Sequence, residues 1–115
     1  MYRYLILGAL AAAGATHAQE VLVTPGYAVT IIGCAEGVVS CDNARYIGVS
    51  RKSGKVQTLK GRTLHTTAAD GVTPSRFLGY EFRSGSMVYR VSQEGVLDVR
   101  QGEKVLVSEK GQWAE

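Results

Sequence analysis

The chain is poor in the residues that carry covalent and acid-base catalysis. Two of its 115 residues are histidine, His17 and His65, and two are cysteine, Cys34 and Cys41. There is no Gly-x-Ser-x-Gly elbow to present a serine nucleophile, and neither a Walker loop nor a dinucleotide fingerprint occurs. Carboxylates could be paired on paper for glycoside chemistry, but a pairing without geometry carries no weight. His65 lies in Arg62-Thr63-Leu64-His65-Thr66-Thr67, a threonine-rich strand pattern, where a half-exposed strand histidine is the ordinary reading. The sequence therefore predicts a protein that is not an enzyme and uses no cofactor.

Long apolar runs are also missing. The longest, Leu5 to Ala15, falls well short of the roughly 20 residues that span a bilayer, and no cysteine follows it to take a lipid anchor. Arg3 precedes the run and Thr16-His17-Ala18 ends it with small residues. That order is the order of a secretory signal peptide. Residues 1–18 are expected to be cleaved, leaving residues 19–115 as a single β domain, periplasmic or secreted.

Charge of one sign is in short supply as well. The whole chain carries 13 Lys+Arg and 10 Asp+Glu, and loss of Arg3 lowers the net charge from +3 to +2. The signs interleave, as in Arg51-Lys52 against Asp42 and Arg100 against Asp98 and Glu103. This pattern describes a solvated surface and argues against a nucleic-acid partner.

Metal-ligand spacing is absent too. Six residues separate Cys34 from Cys41, against two to four in a zinc knuckle, and His65 is the lone imidazole left after cleavage. No metal site is expected. An even pair of cysteines in an exported domain of this size predicts a Cys34–Cys41 disulfide.

From Val21 onward no 3.6-residue stripe is long enough for a helix. What remains is alternation: Val29-Thr30-Ile31, Ile47-Gly48-Val49, Leu78 to Phe82, Met87 to Val91, Leu97-Asp98-Val99 and Val105-Leu106-Val107. Turn signals separate these runs at Pro25-Gly26, Ser53-Gly54, Ser84-Gly85, Glu94-Gly95, Gln101-Gly102 and Lys110-Gly111. The expected fold is all-β, a small antiparallel meander that forms a barrel or a two-layer sandwich. The expected core is Val29, Ile31, Ile47, Val49, Leu59, Leu78, Tyr80, Phe82, Met87, Tyr89, Val91, Leu97, Val99, Val105 and Val107.

A degenerate internal repeat runs through the middle. Cys34 to Cys41 aligns with Ala68 to Ser75; after a gap, Arg45-Tyr46-Ile47-Gly48 aligns with Arg76-Phe77-Leu78-Gly79, and Lys52-Ser53-Gly54 with Arg83-Ser84-Gly85. Either an internal duplication gave units 34–66 and 68–100, or two hairpins with Ser-Gly turns are simply alike. On the duplication reading, 34–56 superimposes on 68–87, and Ala68 and Ser75 take the places of the two cysteines.

The two hairpin tips are the candidate binding residues: Arg51, Lys52, Ser53 and Gly54 in the first, and Arg83, Ser84, Gly85 and Ser86 in the second. Loops held on a rigid sheet are where β modules commonly carry function. The plainer account is that Ser-Gly supplies the turn and the cations keep it soluble.

Leu59-Lys60-Gly61, Leu64-His65-Thr66, Asp70 to Pro74, Gly79-Tyr80-Glu81-Phe82 and Gly111-Gln112-Trp113 together resemble short exported proteins of Gram-negative bacteria. More loosely, Ser84-Gly85 followed by Tyr89 is similar to the Ser-Gly...Tyr loop of periplasmic lysozyme inhibitors, although three residues here separate the glycine from the tyrosine. That resemblance implies a small β domain whose loop plugs a lysozyme cleft. The expected function is thus an exported binding or inhibitor protein that grips a protein partner, such as a lysozyme-like hydrolase or a toxin, through its hairpin tips. The alternative is an envelope-associated structural or small-ligand-binding module with no enzymatic target.

Overall fold

The computed structural model describes residues 17–35 and 40–114. The signal-peptide expectation for residues 1–18 and the stretch 36–39 of the first repeat unit fall, but for His17 and Ala18, outside the described residues. Nine strands follow one another: β1 (His17–Val23), β2 (Tyr27–Ala35), β3 (Ala44–Ser50), β4 (Val56–Thr67), β5 (Pro74–Ser84), β6 (Met87–Ser92), β7 (Val96–Gln101), β8 (Lys104–Lys110) and β9 (Gln112–Trp113). No helix long and apolar enough to cross a membrane occurs among the described residues.

The strands form one antiparallel sheet in the order β8-β7-β6-β5-β4-β3-β2-β1-β9. Of the two expected architectures this is the barrel, because the last strand returns to the first. Trp113 pairs with Leu22 and Gln112 with Val23, so β9 lies beside β1 and nearly closes the sheet. Lys110-Gly111, expected as a turn, is instead a break within one continuing strand: the Gly111 amide donates to the Gly95 carbonyl at 2.9 Å. A Cβ on Gly111 would stand 2.1 Å from the Val23 carbonyl oxygen, so glycine lets the two ends of the sheet approach.

Period-two alternation sends one row of each strand inward. Leu22, Val29, Ile31, Ala44, Tyr46, Leu59, Tyr80, Phe82, Tyr89, Val91, Leu97 and Val99 form the buried core, with Tyr27, Phe77, Met87, Val107 and Trp113 packed on it. Aromatic rings run through it: Tyr46 lies 5.3 Å from Phe82 and 5.4 Å from Tyr89, and Phe77 lies 5.2 Å from Tyr80. Such contacts add about 0.5–1.5 kcal/mol per pair beyond the area they bury.

Four expected core residues lie elsewhere. In β3 the inward row is Ala44, Tyr46 and Gly48, which leaves Ile47 and Val49 on the outer row with Arg45. Leu78 is 39% exposed because the pairing steps from Leu64↔Gly79 to His65↔Phe77 and passes it over. Val105 is 48% exposed; a similar shift in β8 sets Val107 opposite Val99 and Val105 opposite Arg100, on the outer row.

The proposed repeat units are both strand-turn-strand pieces of this meander, and Gly54 and Gly85 both take positive φ, 78° and 60°. Their turns differ in length. The Ser50 amide meets the Lys55 carbonyl across a four-residue tip, whereas Ser84 pairs directly with Met87 around Gly85-Ser86. At the other end Ala68 bonds Thr73, and Ser75 lies two residues beyond that partner. Cys34 and Cys41 are joined in a disulfide, and the Thr63 amide donates to the Cys41 carbonyl at 3.0 Å, tying Cys41 to β4.

Candidate functional site

An up-and-down meander puts alternate turns at the same end of a barrel. The β1–β2 turn, the β3–β4 tip at 51–54, the β5–β6 turn at Gly85-Ser86 and the β7–β8 turn at Gly102-Glu103 therefore share one end. Both candidate tips are brought to it.

Within this end lies a cavity of about 570 Å³. Its floor is the inward row of the strands: Tyr27, Tyr46, Met87, Tyr89, Leu97, Val99 and Val107. Ser53, Lys55, Val56, Gln57 and Leu106 form the rim, so the β3–β4 hairpin stands directly over the opening. Val56 is 63% exposed and Leu106 41%, an apolar lip on an apolar basin. Gly48 shapes the floor: a Cβ there would fall 2.6 Å from the Tyr46 ring, so glycine lets that ring lie along the strand.

Polar groups in the basin are few and placed. The Tyr89 hydroxyl donates to Gln57 Oε1 at 2.8 Å, holding a side chain at the rim. Burial first, then the neighbouring Tyr89 and Tyr27, push the Tyr46 hydroxyl well above the ordinary tyrosine pKa. It stays a neutral hydroxyl throughout the physiological range.

The eight candidate tip residues do different things. Arg51 braces the β1–β2 turn: its amide donates to the Gly26 carbonyl at 2.8 Å and its Nη1 to the Thr24 carbonyl at 2.7 Å. Ser53 Oγ accepts the Lys55 amide at 3.2 Å, and its own amide donates to Ser50 Oγ at 3.1 Å, so it shapes the tip. Lys52 and Gly54 are exposed, as is Lys55 beside them. In the second tip Ser86 Oγ accepts Gln101 Nε2 at 2.9 Å, Ser84 is half-buried and Gly85 is exposed. Arg83 turns onto the outer wall toward Glu81, 3.5 Å away. Tyr89, the tyrosine of the Ser-Gly...Tyr pattern, faces the barrel interior and is 7% exposed.

His65 sits away from the cavity, near the disulfide. It lines a shallow depression with Ser40, Cys41 and Asp42, but its Nδ1 faces the Thr66 carbonyl at 3.3 Å, and no hydrogen bond among the described residues links it to Ser40 or Asp42. Tyr27, Tyr46, Gly48, Val56 and Leu106 were not anticipated as site residues. For Tyr46 and Gly48 the one signal was Arg45 in the Ile47 row, since a charged residue marks that row of β3 as the outer one.

No protein-family model matches the chain, and no curated protein or solved structure does either.

Proposed function

We propose that the chain is an exported binding protein that grips a partner protein with the open end of its barrel, and that the partner is a lysozyme-like hydrolase. The observation that carries this reading is the apolar basin of about 570 Å³ with the exposed lip of Val56 and Leu106, at the end where both tips emerge. An apolar opening beside exposed apolar residues is a place where another molecule buries surface. Lys55 on the rim and the exposed Lys52 in the same hairpin tip give this end positive charge. A glycoside hydrolase needs paired carboxylates in its cleft, and a cationic hairpin complements such a cleft.

Titrating the purified protein into a panel of muramidases tests this. The expected result is a one-to-one complex with loss of hydrolase activity. Val56→Asp and the double change Lys52→Glu with Lys55→Glu should each weaken it by about tenfold or more, as expected for a lost apolar anchor and a reversed rim. Absence of a complex with every muramidase would overturn it.

The cavity volume supports one other reading, a small apolar ligand held among Tyr27, Tyr46 and Met87. Native mass spectrometry of freshly isolated protein separates the two, because a retained small molecule favours the ligand reading.

A further inference from the structure

On the outer wall of β4, β5 and β6 a single carboxylate is surrounded by cations. Glu81 is 3% exposed, an unusual burial for an acid on the outer row of a strand. Arg62 Nη2 lies 3.1 Å from its Oε1, Arg83 Nη2 3.5 Å from the same oxygen, and Arg90 Nη2 2.9 Å from Oε2. The register makes this arrangement inevitable, because Arg62 pairs with Glu81 and Glu81 with Arg90 in adjacent strands.

One arginine would suffice to staple two strands and neutralise one buried acid. Three are present, and each is more than half exposed, at 56%, 65% and 61%. Lys60 adds a fourth cation, and among the described residues it forms no ion pair. Lys60, Arg62 and Arg83 converge on a shallow depression of about 240 Å³ whose floor is Gly61 and Glu81 and whose edge is Asp42. Lys60, Arg62 and Arg83 against Glu81 and Asp42 leave the depression with a surplus of +1, while Arg90 lies opposite Asp98 on the next strand. Guanidinium groups present several N–H donors in a rigid fork, so those not spent on Glu81 face solvent in fixed directions.

We propose that this cluster is a binding site for a phosphate monoester, with Lys60, Arg62 and Arg83 as its donors and Glu81, held from the other side by Arg90, as the positioning residue that keeps the arginines in place. Arginine forks match phosphate oxygens, and the surplus positive charge favours an anion there. Preorganisation lowers the ordering cost of binding, which is what a buried carboxylate beneath exposed arginines supplies. The phosphate can come from a lipid headgroup or from a soluble molecule. This face is outside the barrel and apart from the cavity, so the muramidase experiment and this one fail independently.

The test follows the arginine Nε–H signals of the purified protein by NMR at low salt, with inorganic phosphate as one probe and vesicles of phosphatidylcholine with phosphatidic acid as the other. Saturable shifts of Arg62 and Arg83 with either probe support the site, and the tighter probe names the source. Shifts with neither probe, or equal shifts with pure phosphatidylcholine vesicles, overturn it. The double change Lys60→Gln with Arg83→Gln leaves Glu81 paired to Arg62 and Arg90, and should weaken binding at least tenfold, since each charge-assisted bond to phosphate is a strong one. Glu81→Gln is the decisive variant. It raises the charge of the cluster by one, yet should weaken binding severalfold with the fold intact by circular dichroism. Tighter binding in that variant would show the arginines acting as loose charges and would overturn the built site.

Discussion

Thr24 and Glu109 are joined across 85 residues of chain by a hydrogen bond of 2.7 Å from the threonine Oγ1 to Glu109 Oε1. The same oxygen accepts the Gly26 amide at 2.9 Å. Thr24 is 1% exposed, and Arg51 donates to its carbonyl from the opposite side, so the β1–β2 turn is held between β8 and the β3–β4 tip. This carboxylate ties β8 to the β1–β2 turn beside the two strand pairs of β9. Glu109→Ala leaves the Gly26 amide without its acceptor and the buried Thr24 hydroxyl with only the Tyr27 carbonyl at 3.3 Å, and should lower stability by about 1–3 kcal/mol. Hydrogen exchange should accelerate first in β8 and β9. An unchanged denaturation midpoint would show that the seam does not depend on it.

The Cys34–Cys41 bridge closes a short loop, and Cys41 is bonded to Thr63 of β4. On the chain-entropy model this removes about 2.5 kcal/mol of unfolded-state freedom. The double change Cys34→Ala with Cys41→Ala should therefore lower the stability of the isolated protein by about that much without altering the cavity at the other end. Intact mass should show the loss of two hydrogens, and two alkylatable thiols in freshly isolated protein would contradict the bond.

The meander was legible because its turns are punctuated by glycine and its strands alternate. Val29, Ile31, Tyr80, Phe82, Tyr89, Val91, Leu97 and Val99 fall on the inward rows their patterns imply. Failures came where alternation is ambiguous. In Arg45-Tyr46-Ile47-Gly48-Val49 both rows carry apolar residues, and a slip of one residue exchanges inside for outside. The bulges at Leu78 and in β8 leave no trace in composition, since they depend on pairing between strands. The candidate site was half legible: both tips reach the open end, but the basin between strands is built by Tyr27, Tyr46, Val107 and their neighbours, which only closure of the barrel brings together. The arginine cluster was invisible for a different reason: Arg62, Glu81 and Arg90 are adjacent only through the register of neighbouring strands.

Tyr46 offers a check on the cavity floor. Its hydroxyl titrates well above the ordinary range because ionising it would place a charge in the barrel beside Tyr89 and Tyr27. A group whose folded pKa is raised holds its proton more tightly in the folded state, so stability is full below the ordinary tyrosine value and falls as pH rises through it. Spectrophotometric titration near 295 nm should show Tyr46 ionising only with unfolding, and Tyr46→Phe should flatten the alkaline loss of stability. Ionisation of every tyrosine at about pH 10 in the folded protein would contradict this burial.

The last prediction concerns Glu81 and acid. Burial by itself would raise its pKa, but hydrogen bonds and charge from Arg90 and Arg62 outweigh burial and hold it below the ordinary glutamate value of 4.5. A carboxylate with a depressed folded pKa stabilises the fold above its unfolded value, and that contribution is lost as pH falls through the folded one. Glu81→Gln should therefore destabilise the protein at neutral pH by about 1–3 kcal/mol, toward the lower end because the arginine partners are largely in water. The gap between the variant and the parent should stay constant down to about pH 5 and narrow below it. Urea denaturation at several pH values measures it. A gap that persists undiminished in strong acid would mean that Glu81 contributes through shape and packing, and that its charge does not organise the three arginines.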